Sequence, residues 1–494
     1  MKESRAFHEY VLRQGRIVRG LKLDDISLES VLTAEGDKIP VPILSAAMEC
    51  VTGSEMAIML ARHGAMGVLP AGRNISIEAQ LEALRKVKRD KAGFVENVIT
   101  VRPDDPIRLL TEIEAQHGYS SFPVVDRSKK LVGIITEKRY HPENDLELPV
   151  RERMIPLDSL VVGRQGISLS EANERMIKAG IGLLPIIDEE GVLKSVVFYK
   201  DLKKHVRYKN AFVDSKQRLK VAAAISTHEH DIERAEALVR EGVDYIFIDA
   251  SHGYSDYQRD TIARVKALGV PVWGGNVTDA EGFNYLVEAG ADGVKLGMGV
   301  GAGCITTEVK GYGSGQDLAA LEIVGARNRY YKKTGRYIPL CWDGGIETTH
   351  TMIIAYAFGL DLIMMGKYFA GFTESPGELT PKEVQVIVNP LTMETTRMIA
   401  YFKPYWGEAS ARGRNIGRYQ SDRDSTHFTL EGKEGWVLHK GRFEDHFKHT
   451  LKAIKSAVLG QGVRSLEEFR RVAPKRLMRL SPEAQRIQLG TRLL

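Results

Sequence analysis

Between Gly297 and Gln316 the chain reads GMGVGAGCITTEVKGYGSGQ. Gly297, Gly299, Gly301 and Gly303 lead into Cys304, a pattern that lets the backbone approach a partner closely and leaves the sulfur among amide N–H groups. A thiol in that setting can act as a nucleophile, with the amides stabilising a thiolate or a developing charge. Composition alone favours a blander role, because a single cysteine is more often a small buried apolar residue. The stretch does not read as a dinucleotide fingerprint: Ala302 stands where the third glycine belongs, and no helix starts at once. A second polar stretch, Tyr405 to Glu434, is rich in Gly, Ser, Arg and Asp. It has neither helical nor strand period and reads as a mobile flap of about residues 400–445. Within it Arg418 stands beside Tyr419. A guanidinium, with a pKa above about 12, is a poor base in water and needs desolvation to act as one; otherwise Arg418 is one more surface cation.

These residues require a scaffold, and the chain supplies a recurring β-then-α rhythm. Apolar runs occur at Val41 (VPILSA), Ala65 (AMGVLP), Val221 (VAAAIS), Tyr245 (YIFIDAS), Val270 (VPVWGGN), Gly293 (GVKLGM), Tyr337 (YIPLCWD) and Asp361 (DLIMMG). Each is followed sooner or later by an amphipathic segment, such as MAIMLARHG, IEAQLEALRKVKRDK or HFKHTLKAIKSAVLG. Eight such units predict an α/β protein built on a (β/α)8 TIM barrel, whose active site lies at the C-terminal ends of the strands.

The rhythm breaks between residues 94 and 210. There SSFPVVDRSKKLVGIITEKR and GLLPIIDEEGVLKSVVFYKD resemble each other, each with a strand opening near a proline, an acidic turn and a second strand ending in charge. Pro123 and Pro185 hold equivalent places. A duplicated unit inserted between the second and third barrel strands accounts for this, dividing the barrel into residues 1–93 and 211–494. The pair resembles tandem CBS domains (a Bateman module); an α+β insertion without regulatory use is the alternative.

Composition narrows the function. The chain of 494 residues carries 69 Lys+Arg against 64 Asp+Glu, a net charge of +5 spread along its length. A polybasic surface for nucleic acid or membrane is not expected. No apolar run approaches the roughly 18 residues of a membrane span, and the charged N-terminus, MKESRAFHEYVLRQGR, does not read as a secretion signal. The three cysteines, Cys50, Cys304 and Cys341, are odd in number and show no CxxC spacing, so neither a disulfide framework nor a cysteine zinc site is expected. A cytoplasmic protein is expected.

The loop GMGVGAGCITT…GYGSGQ resembles the catalytic loop of the IMP dehydrogenase/GMP reductase family. ILSAAM, IDASHG, GGNVTDAEGF, AGADGVKLG, CWDGGI, MMGKYFAG, ESPGE and YWGEASARGRNIGRYQ agree with that family in order and spacing, from about residue 6 to residue 470. The resemblance implies that Cys304 attacks C2 of the purine to form a covalent thioimidate, while hydride leaves for a nicotinamide. It implies Thr306 as the catalytic threonine and Asp343 as the ligand of the nucleotide ribose. Phosphate falls to Gly345, Gly366, Lys367 and Tyr405, with Met48 and Gly407 also on the substrate. Asp249, Ser251, Asn276, Gly311 and Gly313 fall where the family contacts the cofactor, NAD. Arg418 and Tyr419 match the dyad of the dehydrogenases, which the reductases are not expected to carry, and Glu431 matches a second acid–base and substrate-contacting residue. A monovalent cation, K+, would lie on the carbonyls of Gly299, Gly301 and Cys304. The substrate implied is IMP, and the assembly a homotetramer, which CBS pairs can join into octamers.

Several positions depart from the family pattern. Ala302 and Gly303 replace a Ser-Ile pair and Ala46 a serine, removing phosphate-binding hydroxyls, for which the Lys367 ammonium is a candidate replacement. Thr307 stands in place of an arginine, and the C-terminal tail shows no likeness to the segment that completes the cation site. In the duplicated unit, Arg139 and Phe198 occupy places where a nucleotide-binding CBS pair has an aspartate and a threonine, although Asp201 is kept; a nucleotide effector there is less expected than an assembly role. The alternatives to a dehydrogenase are a GMP reductase consuming NADPH and a purine-nucleotide sensor without catalysis. Cys304, Thr306, Arg418, Tyr419 and Glu431 argue against the sensor.

Overall fold

Eight short apolar segments close into one parallel barrel in a computed structural model that describes residues 3–72, 75–90, 94–95, 98–117, 120–199, 207–250, 252–301, 303–389, 394–410, 412 and 432–485. The strands are β1 (Ile43–Ser45), β2 (Met66–Leu69), β3 (Ala222–Ile225), β4 (Tyr245–Ile248), β5 (Val272–Val277), β6 (Gly293–Leu296), β7 (Leu340–Asp343) and β8 (Leu362–Met365). β8 pairs with β1, and β2 with β3, which completes the ring across the inserted residues. Each expected apolar run supplies one strand.

The helices that follow are α1 (Ser54–Arg62), α2 (Ile77–Asp90), α3 (His230–Arg240), α4 (Asp256–Lys266), α5 (Ala280–Glu288), α6 (Gln316–Thr334), α7 (Thr349–Ala357) and α8 (Phe443–Gly460). Their starts are written in the sequence. The side chains of Ser255, Asp279 and Thr348 accept hydrogen bonds from the backbone N–H groups of Gln258, Gly282 and Thr351, satisfying donors that the first turn leaves without partners.

Side chains alternate across a strand, so every second residue faces the inside of the barrel. Leu44, Met66, Val68, Ala222, Ala224, Tyr245, Phe247, Trp273, Cys341, Leu362 and Met364 form that packed interior. Counting two further along the same strands reaches Ala46, Asp249, Asp343 and Gly366, which line the open end. The alternation that builds the core therefore also delivers the site.

The pattern of apolar runs does not foresee an antiparallel sheet after the barrel, made of β9 (Thr380–Asn389), β10 (Glu394–Trp406) and β11 (Glu434–Leu438). Met398, Ile399, Tyr401 and Trp436 on this sheet are exposed, and the half-buried positions of β9, Thr380, Lys382 and Val384, are mostly not apolar, so the alternation carries little hydrophobic signal in the sequence. The range read as a flap, about 400–445, thus begins in β10, takes in β11 and ends in the first turn of α8.

The chain divides into two compact units, residues 1–87 with 210–212 and 220–494, and residues 88–209 with 213–219. Within the second, the hairpins Ser121–Val125/Leu131–Thr136 and Leu183–Ile187/Leu193–Phe198 are duplicates. Phe122 faces Ile135 as Leu184 faces Val197, and the register shifts after Val124 as it does after Ile186. Each hairpin follows a helix, Arg108–His117 or Leu169–Ala179, and each half has its own apolar core, around Phe122 and Ile135 in one and Leu184 and Val197 in the other.

Candidate active site

The cleft at the C-terminal end of the barrel is lined by Ala46, Met48, Asp249, Asn276, Lys295, Gly299, Gly301, Cys304, Thr306, Asp343, Gly345, Gly366, Lys367, Tyr405, Gly407 and Glu408, among others. Cys304 follows β6, and the Thr306 hydroxyl lies 3.2 Å from its sulfur. The turn that presents the thiol is closed by the Cys304 N–H donating to the Gly301 carbonyl at 3.0 Å. Thr306 opens a short helix, Thr306–Lys310.

Backbone crowding explains several of the glycines. Gly345 has φ +69°, and a Cβ there would meet the Val300 carbonyl oxygen at 2.8 Å. A Cβ on Gly366 would meet the Met48 sulfur at 2.9 Å and the Tyr405 hydroxyl at 3.3 Å. The candidate phosphate corner is therefore bare backbone beneath a phenol, whose pKa burial raises above that of an ordinary tyrosine. Lys367 donates to Glu347 at 2.9 Å.

The loop of Cys304 is tied to both ends of the Arg418-Tyr419 segment. Gly407 N–H donates to the Lys433 carbonyl and Lys433 N–H to the Gly303 carbonyl, each at 3.0 Å, while Cys304 bridges Gly432. A Cβ on Gly432 would meet the Ser410 nitrogen at 2.5 Å, and one on Gly303 the Gly407 nitrogen at 3.1 Å. Three backbones thus meet where no side chain fits. Glu408 accepts from the Glu49 N–H at 2.9 Å, joining this junction to the loop after β1.

The mouth is also organised by charge. Lys295, at 2% exposure, reaches Asp343 at 3.3 Å and Asp249 at 3.7 Å. Asn276 donates to Asp343 at 3.1 Å and to the Gly297 carbonyl at 2.9 Å. Its Oδ1 is buried and has no hydrogen-bond partner among the described residues. An acceptor in that position suits an amide or hydroxyl donor of a bound ligand. The described residues contain no cluster of His, Cys, Asp or Glu able to hold a metal ion.

The IMP dehydrogenase / GMP reductase domain family matches residues 5–487. The chain belongs to this family. It is an oxidoreductase, and among family members it is 35% identical to the inosine-5′-monophosphate dehydrogenase of Tritrichomonas foetus over 476 residues, covering 94% of this chain and 91% of the relative. It is 36% identical to the enzyme of the same name from Aquifex aeolicus, with 93% of each chain covered. Among solved structures, a cysteine-to-alanine GMP reductase from Trypanosoma brucei in complex with guanosine 5′-monophosphate superposes with a TM-score of 0.86 at 28% identity, covering 100% of this chain and 99% of its own. The same organism's GMP reductase with guanosine 5′-triphosphate gives a TM-score of 0.76 at 26% identity, covering 97% and 98%.

Most residues assigned by the family resemblance meet in one cleft. Gly311 and Gly313 are not among its lining residues. Gly311 ends the short helix in a left-handed conformation, and Gly313 packs against the Thr307 hydroxyl, so a turn explains both. Ser251, Arg418, Tyr419 and Glu431 lie outside the described residues, as do Ala302 and Asp201. Lys295 and Glu408 were not singled out in the sequence. For Lys295 the signal was a lysine inside an otherwise apolar strand; Glu408 had none.

Proposed function

We propose that the protein is an IMP dehydrogenase, converting IMP, NAD+ and water to XMP and NADH. The observation that carries the proposal is the tie between the Cys304 loop and both ends of the segment holding Arg418 and Tyr419, through Gly303, Gly407 and Lys433. A dehydrogenase must hydrolyse its thioimidate, and the described residues that flank the stretch carrying the water-activating pair, Gly407 and Lys433, lie against the nucleophile's own loop.

In this reading the Cys304 sulfur bonds to C2 of IMP and gives up its proton, and the C2 hydrogen departs with its electron pair. NAD+ supplies the hydride acceptor. Asp343 holds the ribose, while Gly345, Gly366, Lys367 and Tyr405 hold phosphate and Met48 and Gly407 flank the base. Asp249, Asn276 and Ser251 hold the nicotinamide nucleotide, and the unsatisfied Asn276 Oδ1 suits its donors. Water then attacks C2 with Arg418, desolvated beside Tyr419 and Thr306, as base and Glu431 as an alternative proton path. The C2–S bond breaks and Cys304 regains its proton. Carbonyls of Gly299, Gly301 and Cys304 are the neutral donor class that suits a large monovalent cation such as K+. The duplicated unit is read as a CBS pair with an assembly role, the protein as a cytoplasmic homotetramer.

A GMP reductase is the second reading, supported by the two superposed reductases. Absorbance at 340 nm separates the two. A rise with IMP and NAD+ is expected; a fall with GMP and NADPH, with no rise from IMP, overturns the dehydrogenase.

A further inference from the structure

Two carboxylates and one ammonium share the floor of the cleft. Asp249 directly follows β4 and Asp343 ends β7, on either side of β5 and β6, and Lys295 on β6 stands between them with its Nζ 3.7 Å and 3.3 Å away. The stem of the lysine has little freedom, which leaves its terminal ammonium as the part able to shift. A Cβ on Gly275 would meet the Lys295 Cβ at 2.6 Å, so the neighbouring strand presses on its stem. Below it on the same face, Gly293 leaves room only for the Trp273 indole. Burial works against its charge, but Asp343 first and Asp249 second outweigh that and hold its pKa above that of an ordinary lysine. Cys341, the remaining titratable group near it, is buried and stays a thiol.

We propose that Lys295 is a positioning residue shared by the two halves of the site, and that it makes binding of the purine nucleotide and of the nicotinamide nucleotide mutually favourable. The proposal rests on the reading above, in which Asp343 serves the first ligand and Asp249 the second. Asp343 accepts from both Lys295 and Asn276 on Oδ2. Ribose hydroxyls donating to that carboxylate relieve its demand on the ammonium, a compact point charge with three rotatable donors. The ammonium then moves toward Asp249 and holds that carboxylate in one orientation for the second ligand. Linkage makes the effect reciprocal, and a coupling of about fivefold or more is the usual scale.

The test is calorimetric titration of IMP into the full-length Cys304→Ala protein, which cannot turn over, with and without saturating NAD+. NAD+ is expected to tighten IMP binding about fivefold. Adding Lys295→Met is expected to bring the ratio of the two affinities to one, and Lys295→Arg, which keeps a cation, to restore part of it. A structural defect would weaken IMP equally in both titrations and leave the ratio unchanged. Where Lys295→Met does not fold, Lys295→Gln keeps volume and a donor without charge and is expected to lower the ratio as well. An undiminished ratio in the Met or Gln variant overturns the shared role, as does a ratio of one in the parent. Failure of the parent to bind IMP at all removes the functional reading and this proposal with it.

Discussion

The two ends of the barrel use the same residue types for opposite purposes. At the N-terminal ends of β6 and β8, Asp292 and Asp361 are completely buried. Asp361 accepts from Arg327 at 2.8 Å, from the Tyr337 hydroxyl at 2.7 Å and from the Leu340 N–H at 3.0 Å. Asp292 accepts from Lys266 and the Val272 N–H, each at 2.8 Å, and from Arg336 at 3.0 Å. At the opposite end Asp249 and Asp343 keep about a fifth of their side-chain surface exposed and divide one lysine between them. A buried acid saturated with cations and amides has nothing left to offer a ligand, and its loss costs stability. Carboxylates that share a cation and keep an exposed edge are equipped for a ligand's hydroxyls.

The largest effect expected is at the nucleophile. Cys304→Ala should lower NADH formation from IMP by at least about a thousandfold with no change in melting temperature; persisting turnover would remove the thiol from the chemistry. At the closed end, Arg327→Met removes the nearer cation from buried Asp361, leaving Arg470 at 3.5 Å, and should cost up to about 3 kcal/mol in urea unfolding, with the KM for IMP of the folded protein unaltered. At the open end Asp343→Asn should do the reverse, raising that KM about ten- to hundredfold through a lost charged hydrogen bond while costing less stability than Arg327→Met, because Lys295 keeps Asp249 at 3.7 Å. If both variants moved stability and KM together, the division of labour between the two ends would be wrong.

Two smaller effects sharpen the same contrast between buried and accessible groups. Burial pushes the Cys50 thiol up to about 12 and raises that of Cys341 further from the thiolate, so both are protonated at pH 8. Iodoacetamide at that pH should label Cys304 alone, as read by peptide mass spectrometry, and IMP should protect it. The smallest change is expected for Lys433→Ala. Its ion pair with Glu308 is exposed on both sides and is worth less than about 1 kcal/mol, so activity should fall by less than a factor of about two. A large loss there would show that the side chain, and not only the backbone junction at Gly303 and Lys433, holds the nucleophile's loop.

How much of this was legible in the chain differs from element to element. Barrel strands such as YIFIDAS announce themselves because a buried strand is a local run of apolar residues, and caps such as Ser255 and Asp279 because a helix start needs a nearby side-chain acceptor. The duplication around Pro123 and Pro185 was equally plain and is reproduced in the strand register of both hairpins. The hairpin β9–β10 was not legible, because the half-buried positions of its described residues include Thr380 and Lys382 and so form no apolar stripe. Cys304, Thr306, Asp343 and the adjacency of Arg418 to Tyr419 could be read from local motifs. The sharing of Lys295 could not: Asp249 lies 46 residues before it and Asp343 48 after. Only closure of the barrel brings both carboxylates within 4 Å of the Lys295 ammonium, because ion pairing depends on distance in space, whereas the hydrophobic period that writes each strand depends on its nearest neighbours alone.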